Sequence, residues 1–321
     1  MRRIAFACAL TAGLSLAAVD FVSAQTIGYA EAVGTMAAAC KSDIEKYCKK
    51  VDLGGGRMDG CLMASANKVS AGCRTTVATL IELVRKRKAA QASIAQVCDA
   101  DIRRLCAGIE AGDGNLLQCF FEARRRVSGK CQQAVADAGY EVTIAPSQDT
   151  DQVNLDPDNL IGGLQQVDEF AHTLTAASLR QMVVNGMNDP ARAERLNRPP
   201  LVPQLNSLSQ LTIAIQFDLN SARIRPNSFR AVGLMADALN HPLLTGYRFI
   251  VIGNTDATGS REHNLKLSQQ RADAIREALI RPFGIDPVRL QAVGLGEEDL
   301  LYPDRPTDPK NRRVQLINIG R

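Results

Sequence analysis

The sequence of 321 residues contains no tryptophan, 4% aromatic residues and three histidines. His172, His241 and His263 all lie outside the cysteine-containing part of the chain, and no C-x-x-C or C-x-x-C-H motif occurs. Zinc and haem sites normally need such histidines or closely spaced cysteines. The sequence also lacks a serine–histidine–aspartate arrangement and an evident acid pair for general acid–base catalysis. We therefore expect a protein that is not an enzyme and that holds no metal and no cofactor.

The sequence also has little excess of one charge sign over the other and few long apolar runs. The formal net charge is +4, and it becomes +3 without Arg2, Arg3 and Asp20. This excess is too small to indicate binding to nucleic acid or to an anionic membrane. Beyond residue 24 no run approaches the ~18 apolar residues needed to cross a bilayer. We expect no transmembrane span in the mature chain.

The first 24 residues have the three parts of a secretory signal peptide. A basic start at Met1-Arg2-Arg3 precedes an apolar run from Ile4 to Val19, and Val22-Ser23-Ala24 follows. Cleavage is expected after Ala24. Cys8 lies early in the apolar run rather than at its end, so we expect it to be an inert leader residue and not a lipidation site.

The other eight cysteines form two sets with the same spacing, C-x7-C-x12-C-x11-C, offset by 58 residues. Neighbouring residues repeat as well, since Asp43-Ile44 corresponds to Asp101-Ile102 and Val69-Ser70 to Val127-Ser128. The match indicates a duplicated unit. The first set is Cys40, Cys48, Cys61 and Cys73, and the second is Cys98, Cys106, Cys119 and Cys131.

Each unit is predicted to be an αα-hairpin. Helix-forming segments at 36–48 and 58–73 are separated by a Gly-rich stretch at 53–56. An exported chain meets an oxidising compartment, which favours disulfides over a metal site. Four cysteines allow three connectivities. We prefer the nested one, because the outer cysteines of an antiparallel pair face one another and so do the inner ones: Cys40–Cys73, Cys48–Cys61, Cys98–Cys131 and Cys106–Cys119.

The cysteine spacing at 40–73 and 98–131 resembles the cysteine-rich repeat of the Golgi apparatus glycoprotein family. Assorted bacterial exported proteins carry the same repeat. The resemblance implies a helical exported module that binds a partner, and it implies no enzymatic activity.

A strand, a glycine-rich turn and a helix follow one another after residue 247. The run from Tyr247 to Ile252 is typical of a buried strand, and Asp256 lies in the turn that follows it. From about Glu262 apolar residues recur at three- and four-residue steps, which predicts a helix that faces the sheet. Because helical side chains lean toward the helix N-terminus, Arg271 would reach back toward Asp256.

Five motifs in order extend this pattern across the last third of the chain: Ile215–Ala222, Gly253–Gly259, Asn264–Ala272, Gly294–Glu297 and Asn311–Val314. Together they resemble the OmpA-like peptidoglycan-binding domain. The resemblance implies an α+β fold, a βαβαβ two-layer sandwich of two helices on one sheet. Strands are expected near Leu211–Phe217, Tyr247–Gly253, Arg289–Gly294 and Arg313–Ile319, with helices near Pro226–Asn240 and Glu262–Arg281.

The same resemblance implies noncovalent binding of the diaminopimelate residue of peptidoglycan stem peptides. Asp256 would bind the ligand's ammonium group, and Arg271 would bind its carboxylate in bidentate fashion. Lysine-type stem peptides lack that carboxylate and would leave Arg271 unpaired. The other positions at which a ligand contact is expected are Phe217, Asp218, Thr255, Thr258, Asn264, Leu267 and Arg312.

Two residues depart from the family pattern. Asn254 stands where the family often has histidine or another ring, and Gln315 stands where glutamate is frequent. We expect Asn254 to tune the turn rather than hold the ligand. We expect Gln315 to lie on the solvent face of the last strand.

These observations divide the chain into a signal peptide at 1–24, a cysteine-rich helical domain at 25–145, a linker at 146–206 and an OmpA-like domain at 207–321. The linker has no lysine or arginine before Arg180 and several prolines near its end. We expect it to act as a tether that contains one amphipathic helix between about Leu164 and Asn185.

The predicted function is binding of peptidoglycan, which would anchor the cysteine-rich domain to the cell wall. The expected location is the periplasm, with the inner face of the outer membrane as one candidate place. An alternative is an adaptor whose repeat binds another exported or outer-membrane protein, with wall binding only for localisation. A peptidoglycan-active enzyme is a further alternative, which the missing catalytic arrangement disfavours.

Overall fold

The computed structural model describes residues 26–110, 112, 114–140, 157–165, 167, 170–186, 189, 191 and 201–321. The predicted signal peptide with Cys8 and much of the predicted linker lie outside these residues. The described residues form an N-terminal helical region and a C-terminal α+β region, which is the fold class that the sequence predicts. In this part of the chain no helix combines the length and the apolar character needed to span a membrane.

The helical region repeats with the cysteines. Its helices, in the described residues, are α1 Tyr29–Ala39, α2 Lys41–Tyr47, α3 Arg57–Ala64, α4 Ala71–Val97, α5 Asp99–Leu105, α6 Asn115–Glu122 and α7 Gly129–Asp137. Helices α5, α6 and α7 begin 58 residues after α2, α3 and α4. The start of the long helix α4 therefore belongs to the first repeat, and the end of this helix leads into the second repeat.

Each repeat is closed by two disulfides that have the nested pairing predicted from the sequence. Closing a chain loop restricts the unfolded state, and one disulfide typically contributes about 2–4 kcal/mol. This contribution matters in a repeat that is too small to bury a large apolar core. The pairs are Cys40–Cys73, Cys48–Cys61, Cys98–Cys131 and Cys106–Cys119.

The second arm of each predicted hairpin is broken into two helices. In the first repeat Ser70 caps α4, since its Oγ accepts the N–H of Cys73 at 3.2 Å. Asp43 in turn accepts the N–H of Ser70 at 3.2 Å and its hydroxyl at 2.7 Å. Asp101 and Ser128 make the same two contacts, at 3.1 and 2.8 Å, in the second repeat. These contacts explain the break between the two helices. The N–H groups in the first turn of a new helix need acceptors from outside that helix, whereas the same groups within a continuous helix do not.

The C-terminal region is a mixed four-stranded sheet in the order β1-β4-β2-β3, with β2 and β3 parallel and β4 antiparallel to both β1 and β2. The first strand is shorter than predicted, and Phe217 makes an isolated bridge to Ile224 beyond its end. The elements are β1 Gln210–Ile213, α11 Phe229–Leu239, β2 Phe249–Asn254, α12 Arg261–Ile280, β3 Leu290–Gly296 and β4 Val314–Asn318.

The predicted linker contributes the helices α8 Pro157–Gln165, α9 Ala176–Val184 and α10 Leu201–Asn206, where one helix was expected. Helices α9 and α10 cover the second face of the sheet, whereas Ile161 and Leu164 of α8 join the core on its first face. Leu179, Val183 and Leu205 form an apolar cluster with Ile250, Ile252 and other sheet residues. The described parts of this segment are thus packed, whereas the sequence predicts a tether.

The helical region packs directly on the α+β region. Helix α1 lies against α11, and Gly233 of α11 has no room for a side chain because Ala30 occupies that position. Tyr29 and Met36 of α1 share one apolar core with Phe229 and Met235 of α11. The two regions therefore form a continuous interior in the described part of the chain.

A buried ion pair lies in this interface. Arg87 of α4 is 1% exposed, and its Nη1 donates to Asp237 Oδ1 of α11 at 2.5 Å. The guanidinium lies 4.0 Å from the ring centre of Tyr29, and its Nε donates to the carbonyl of Ala138 at 3.2 Å. Asp237 also accepts the N–H groups of Tyr29 and Ala30, each at 2.9 Å, at the start of α1. One carboxylate thus joins α1, α4 and α11.

The second repeat contacts the α+β region through His241, which is 4% exposed. Phe121 of α6 meets the imidazole edge-on, with ring centres 4.4 Å apart, and Nδ1 of His241 accepts the N–H of Leu243 at 3.3 Å. Burial lowers the pKa of His241 to about 4, and the positive charge of Arg124 lowers it further, against a backbone hydrogen bond at Tyr140. The imidazole is therefore neutral in the folded protein at neutral pH.

We expect Asp237→Ala to lower the free energy of unfolding by about 3–5 kcal/mol, because Arg87 would remain buried without its counter-charge. Chemical denaturation of the oxidised protein measures this change. Asp273→Ala removes an exposed carboxylate from α12 and should alter stability by less than about 0.5 kcal/mol. Equal denaturation midpoints for the two variants would contradict the role given to the ion pair.

We expect stability to fall as the pH decreases from 6.5 to about 4. In this window His241 of the unfolded chain binds a proton that the folded protein does not, so protonation favours unfolding by up to about 3 kcal/mol. His241→Asn keeps an acceptor for the N–H of Leu243 but does not titrate, so this variant should show a flatter pH dependence in thermal melts. His263→Asn, which changes an exposed histidine of α12, should keep the wild-type dependence.

Candidate functional site

A cleft of about 640 Å³ lies at the end of β2. Its walls come from the loop after β1, the turn after β2, the first half of α12 and the loop before β4. Strand β4 pairs with β2 so that Val314 lies opposite Gly253, and this register brings the last loop beside the turn. The cleft contains all nine ligand positions expected from the sequence: Phe217, Asp218, Thr255, Asp256, Thr258, Asn264, Leu267, Arg271 and Arg312.

Asp256 is 6% exposed and held on both carboxylate oxygens. Oδ1 accepts the N–H of Thr258 at 3.0 Å, and Oδ2 accepts a hydrogen bond from Arg312. The carbonyl of Asp256 accepts a hydrogen bond from Asn264 Nδ2 at 3.2 Å. The carboxylate therefore has a fixed position and a cationic partner before any ligand binds.

Arg271 is also 6% exposed, but its charge is not neutralised in the same way. Its Nε donates to the carbonyl of Ser221 at 3.1 Å, and its guanidinium lies 4.8 Å from the ring centre of Phe217. Among the described residues no carboxylate oxygen lies within 4 Å of this guanidinium. Burial lowers the pKa of Arg271 to about 10, the charge of Arg312 lowers it further, and Asp256 opposes both. The cleft thus contains a buried cation without an anion in contact.

Helix α12 places Arg271 through close contact with the sheet. Ser260 caps the helix by accepting the N–H of His263 at 3.2 Å. Ser268 Oγ accepts the N–H of Gly296 on β3 at 2.9 Å. A side chain at Gly253 or Gly294 would overlap with the backbone of this helix. The residues of the N-x-x-L-S-x-x-R pattern therefore have two roles. Ser268 attaches the helix to the sheet, and Leu267 and Arg271 line the cleft.

The loop after β1 is held by Asp218. Its carboxylate accepts hydrogen bonds from Arg223 at 2.7 Å and Arg225 at 3.1 Å. These contacts fix the segment that carries Phe217 and Ser221 beside Arg271. Asp218 lines the cleft, as the sequence predicts, but both of its described partners are arginines of its own loop.

Further residues of the cleft were not identified from the sequence. Lys310 precedes the Asn311–Val314 motif directly, so its position next to the motif was an available signal. Arg225 reaches the cleft through its pair with Asp218, which no local pattern indicates. The additional polar lining side chains are Gln216, Asn220, Arg225, His263 and Lys310.

Gln315 is not on a solvent face, and that expectation was wrong. It is 2% exposed, because β4 lies between β1 and β2 and because helices α9 and α10 cover the second sheet face. Its Oε1 accepts a hydrogen bond from Asn254 Nδ2 at 2.5 Å, and its Nε2 donates to Gln210 Oε1 at 2.8 Å. The two departures from the family pattern therefore contact each other in the sheet, just below the turn that carries Asp256.

Two family comparisons match separate parts of the chain. Residues 216–313 match the OmpA family, and residues 34–70 match the cysteine rich repeat. The second match covers most of the first structural repeat and ends before Cys73. The two matches together leave the predicted linker and the second repeat outside.

Individual proteins match the C-terminal region. Outer membrane porin F of Pseudomonas aeruginosa is 29% identical over 115 residues, which are 35% of this chain and 32% of that protein. The peptidoglycan-associated lipoprotein of Pseudomonas putida is 34% identical over 102 residues, which are 31% of this chain and 59% of that protein. The crystal structure of the peptidoglycan-associated lipoprotein from Burkholderia pseudomallei is 31% identical, with a TM-score of 0.29, and covers 32% of this chain and 87% of its own.

The chain thus spans about a third and about three fifths of the length of the two Pseudomonas proteins. The matched residues include the turn with Asp256, the helix with Arg271 and the loop with Arg312. The sheet, the two helices on its first face and the cleft all belong to this matched region or border it. Residues 216–313 are an OmpA family domain, and residues 34–70 are a cysteine-rich repeat.

Proposed function

We propose that this protein binds peptidoglycan noncovalently through the cleft between Asp256 and Arg271. The observation that carries the proposal is the buried guanidinium of Arg271, which faces the cleft without a carboxylate in contact among the described residues. An uncompensated buried charge is unfavourable, so an anionic group that enters the cleft gains a strong partner. Relatives named peptidoglycan-associated lipoprotein support the choice of polymer.

The ligand group is the zwitterionic end of a diaminopimelate residue. Its carboxylate binds the terminal nitrogens of Arg271, while the Nε that donates to Ser221 keeps the guanidinium plane in place. Its ammonium group binds Asp256. A carboxylate offers about four lone-pair sites, so Asp256 can accept the ammonium and keep its contacts with Thr258 and Arg312.

The remaining positions shape the cleft around this group. Leu267 and Phe217 supply apolar surface for the methylene chain of the ligand, and Phe217 also contacts the guanidinium of Arg271. Thr255 Oγ is buried without a hydrogen-bond partner among the described residues, so it is free to bind a polar ligand atom. Thr258, Asn264 and Asp218 hold the turn and the loop that carry the two charged groups.

Binding of this kind would keep the cysteine-rich helical region at the cell wall, in the periplasm. We retain the division into residues 25–145, 146–206 and 207–321 as part of this proposal. The interface through Arg87 and Asp237 supports a fixed attachment rather than a loose one.

We expect Arg271→Met and Asp256→Asn each to weaken binding to an uncrosslinked, diaminopimelate-containing stem peptide about 10- to 100-fold. Each change removes a charge-assisted contact, which is typically worth about 1.5–3 kcal/mol. Titration calorimetry measures the affinities, and circular dichroism checks that the variants fold. Arg281→Met removes an exposed guanidinium at the end of α12 and should bind as the wild type does. Wild-type affinity in both cleft variants would overturn the assignment.

The ligand can be varied as well as the protein. We expect at least tenfold weaker binding of a lysine-type stem peptide, because it lacks the carboxylate that Arg271 needs. Crosslinking acylates the amine that Asp256 needs, so highly crosslinked sacculi should retain less protein than poorly crosslinked ones in a pull-down. Equal retention on the two kinds of sacculus would contradict the role of Asp256.

A further inference from the structure

A second groove, of about 780 Å³, lies where the cysteine-rich region meets the OmpA family domain. One wall consists of α1 and α2, and the other consists of the segment from Asp218 to Arg230. The floor on the α1 side has small residues, namely Gly34, Ala37 and Ala38. Gly34 approaches Arg230 so closely that an added Cβ would lie 3.3 Å from its side chain. The groove is therefore built jointly by the two regions.

The groove is continuous with the cleft described above. Asp218 and Arg225 line both, with one side of the loop facing each. Arg225 donates to Asp218 at 3.1 Å, so this shared border is a formed contact rather than a pair of mobile side chains. A chain whose end occupies the cleft can leave it across this border and enter the groove.

The charges of the groove favour an anionic chain. Lys41, Lys49 and Arg230 have no carboxylate oxygen within 4 Å among the described residues. Asp218 is already paired with Arg223 and Arg225. Two exposed acids, Glu31 and Glu45, oppose the basic groups, and the five basic and three acidic side chains of the groove leave a net charge of +2.

The cleft itself has the same sign. Its four basic side chains, Arg225, Arg271, Lys310 and Arg312, and its two acidic ones, Asp218 and Asp256, sum to +2, and a zwitterionic ligand end does not change that sum. Further carboxylates of the ligand are therefore attracted toward the cleft and the groove together. Small residues on the floor leave room for a peptide backbone beside α1.

We propose that this groove is an extension of the binding site that takes the adjoining, carboxylate-bearing segment of the same stem peptide. The inference rests on the function proposed for the cleft and adds a second part of the chain to the proposed binding site. The cysteine-rich region then contributes the binding residues Lys41 and Lys49, so it takes part in ligand binding as well as being anchored by it. Arg87 and Asp237 keep the groove formed, because they hold α1 against α11.

The test compares two ligands on the intact chain. The first is free meso-diaminopimelic acid, which fills the cleft alone, and the second is an uncrosslinked stem tetrapeptide that contains the same residue and further free carboxylates. The variant is the double substitution Lys41→Glu with Lys49→Glu, at two exposed positions. Its control is Lys68→Glu with Lys86→Glu, which makes the same charge change at exposed positions outside the groove.

We expect the groove variant to bind the tetrapeptide about fivefold more weakly at low salt and to bind the free amino acid as the wild type does. The control should bind both ligands with wild-type affinity. Unchanged tetrapeptide affinity in the groove variant overturns the inference and leaves the cleft function standing. An equal loss in the control also overturns it, because the effect would then come from net charge. If Arg271→Met binds both ligands as the wild type does, the proposed function itself fails.

Discussion

The buried ion pair between Arg87 and Asp237 is the contact on which the arrangement of the two regions depends. Asp237 belongs to the sheet-packed helix α11, and Arg87 belongs to the helix that joins the two cysteine repeats. The same carboxylate caps the start of α1, where N–H groups lack intrahelical acceptors and the helix dipole is positive. Asp237 thus holds α1 and α4 against α11 and fixes the wall of the second groove, and the loss of either partner by substitution would leave a buried charge unpaired.

The charges of the cleft follow from the strand order. Strand β4 lies next to β2, so Arg312, which precedes β4, reaches Asp256, which follows β2. Arg271 comes from the helix above and finds a backbone carbonyl and an aromatic ring instead. The cleft therefore has one acid that Arg312 neutralises and one buried cation without an anion in contact among the described residues, and this combination supports the proposal that a zwitterion binds there.

Much of the fold could be predicted from local patterns. The strand before Gly253, the helix around Arg271 and the nested cysteines depend on periodicity and spacing that a single segment carries. The sequence predicts one linker helix, between about Leu164 and Asn185, but it does not predict that Leu179, Val183 and Leu205 pack on the second face of the sheet. Gln315 was misplaced for the same reason. Strand β4 lies in the interior of the sheet, and helices α9 and α10 cover the face to which Gln315 belongs.

The sequence, through its resemblance to the OmpA-like domain, indicated nine of the residues that line the cleft. It also favoured the observed cysteine pairs among the three connectivities open to each repeat, because the outer cysteines of an antiparallel helix pair face one another and so do the inner ones. Only the tertiary structure decided that Arg312, and not Arg271, neutralises Asp256, and that the cysteine-rich region forms one wall of an adjoining groove. The first outcome depends on the strand order, and the second depends on the ion pair between Arg87 and Asp237, which are 150 residues apart in sequence. A local sequence pattern carries no information about either.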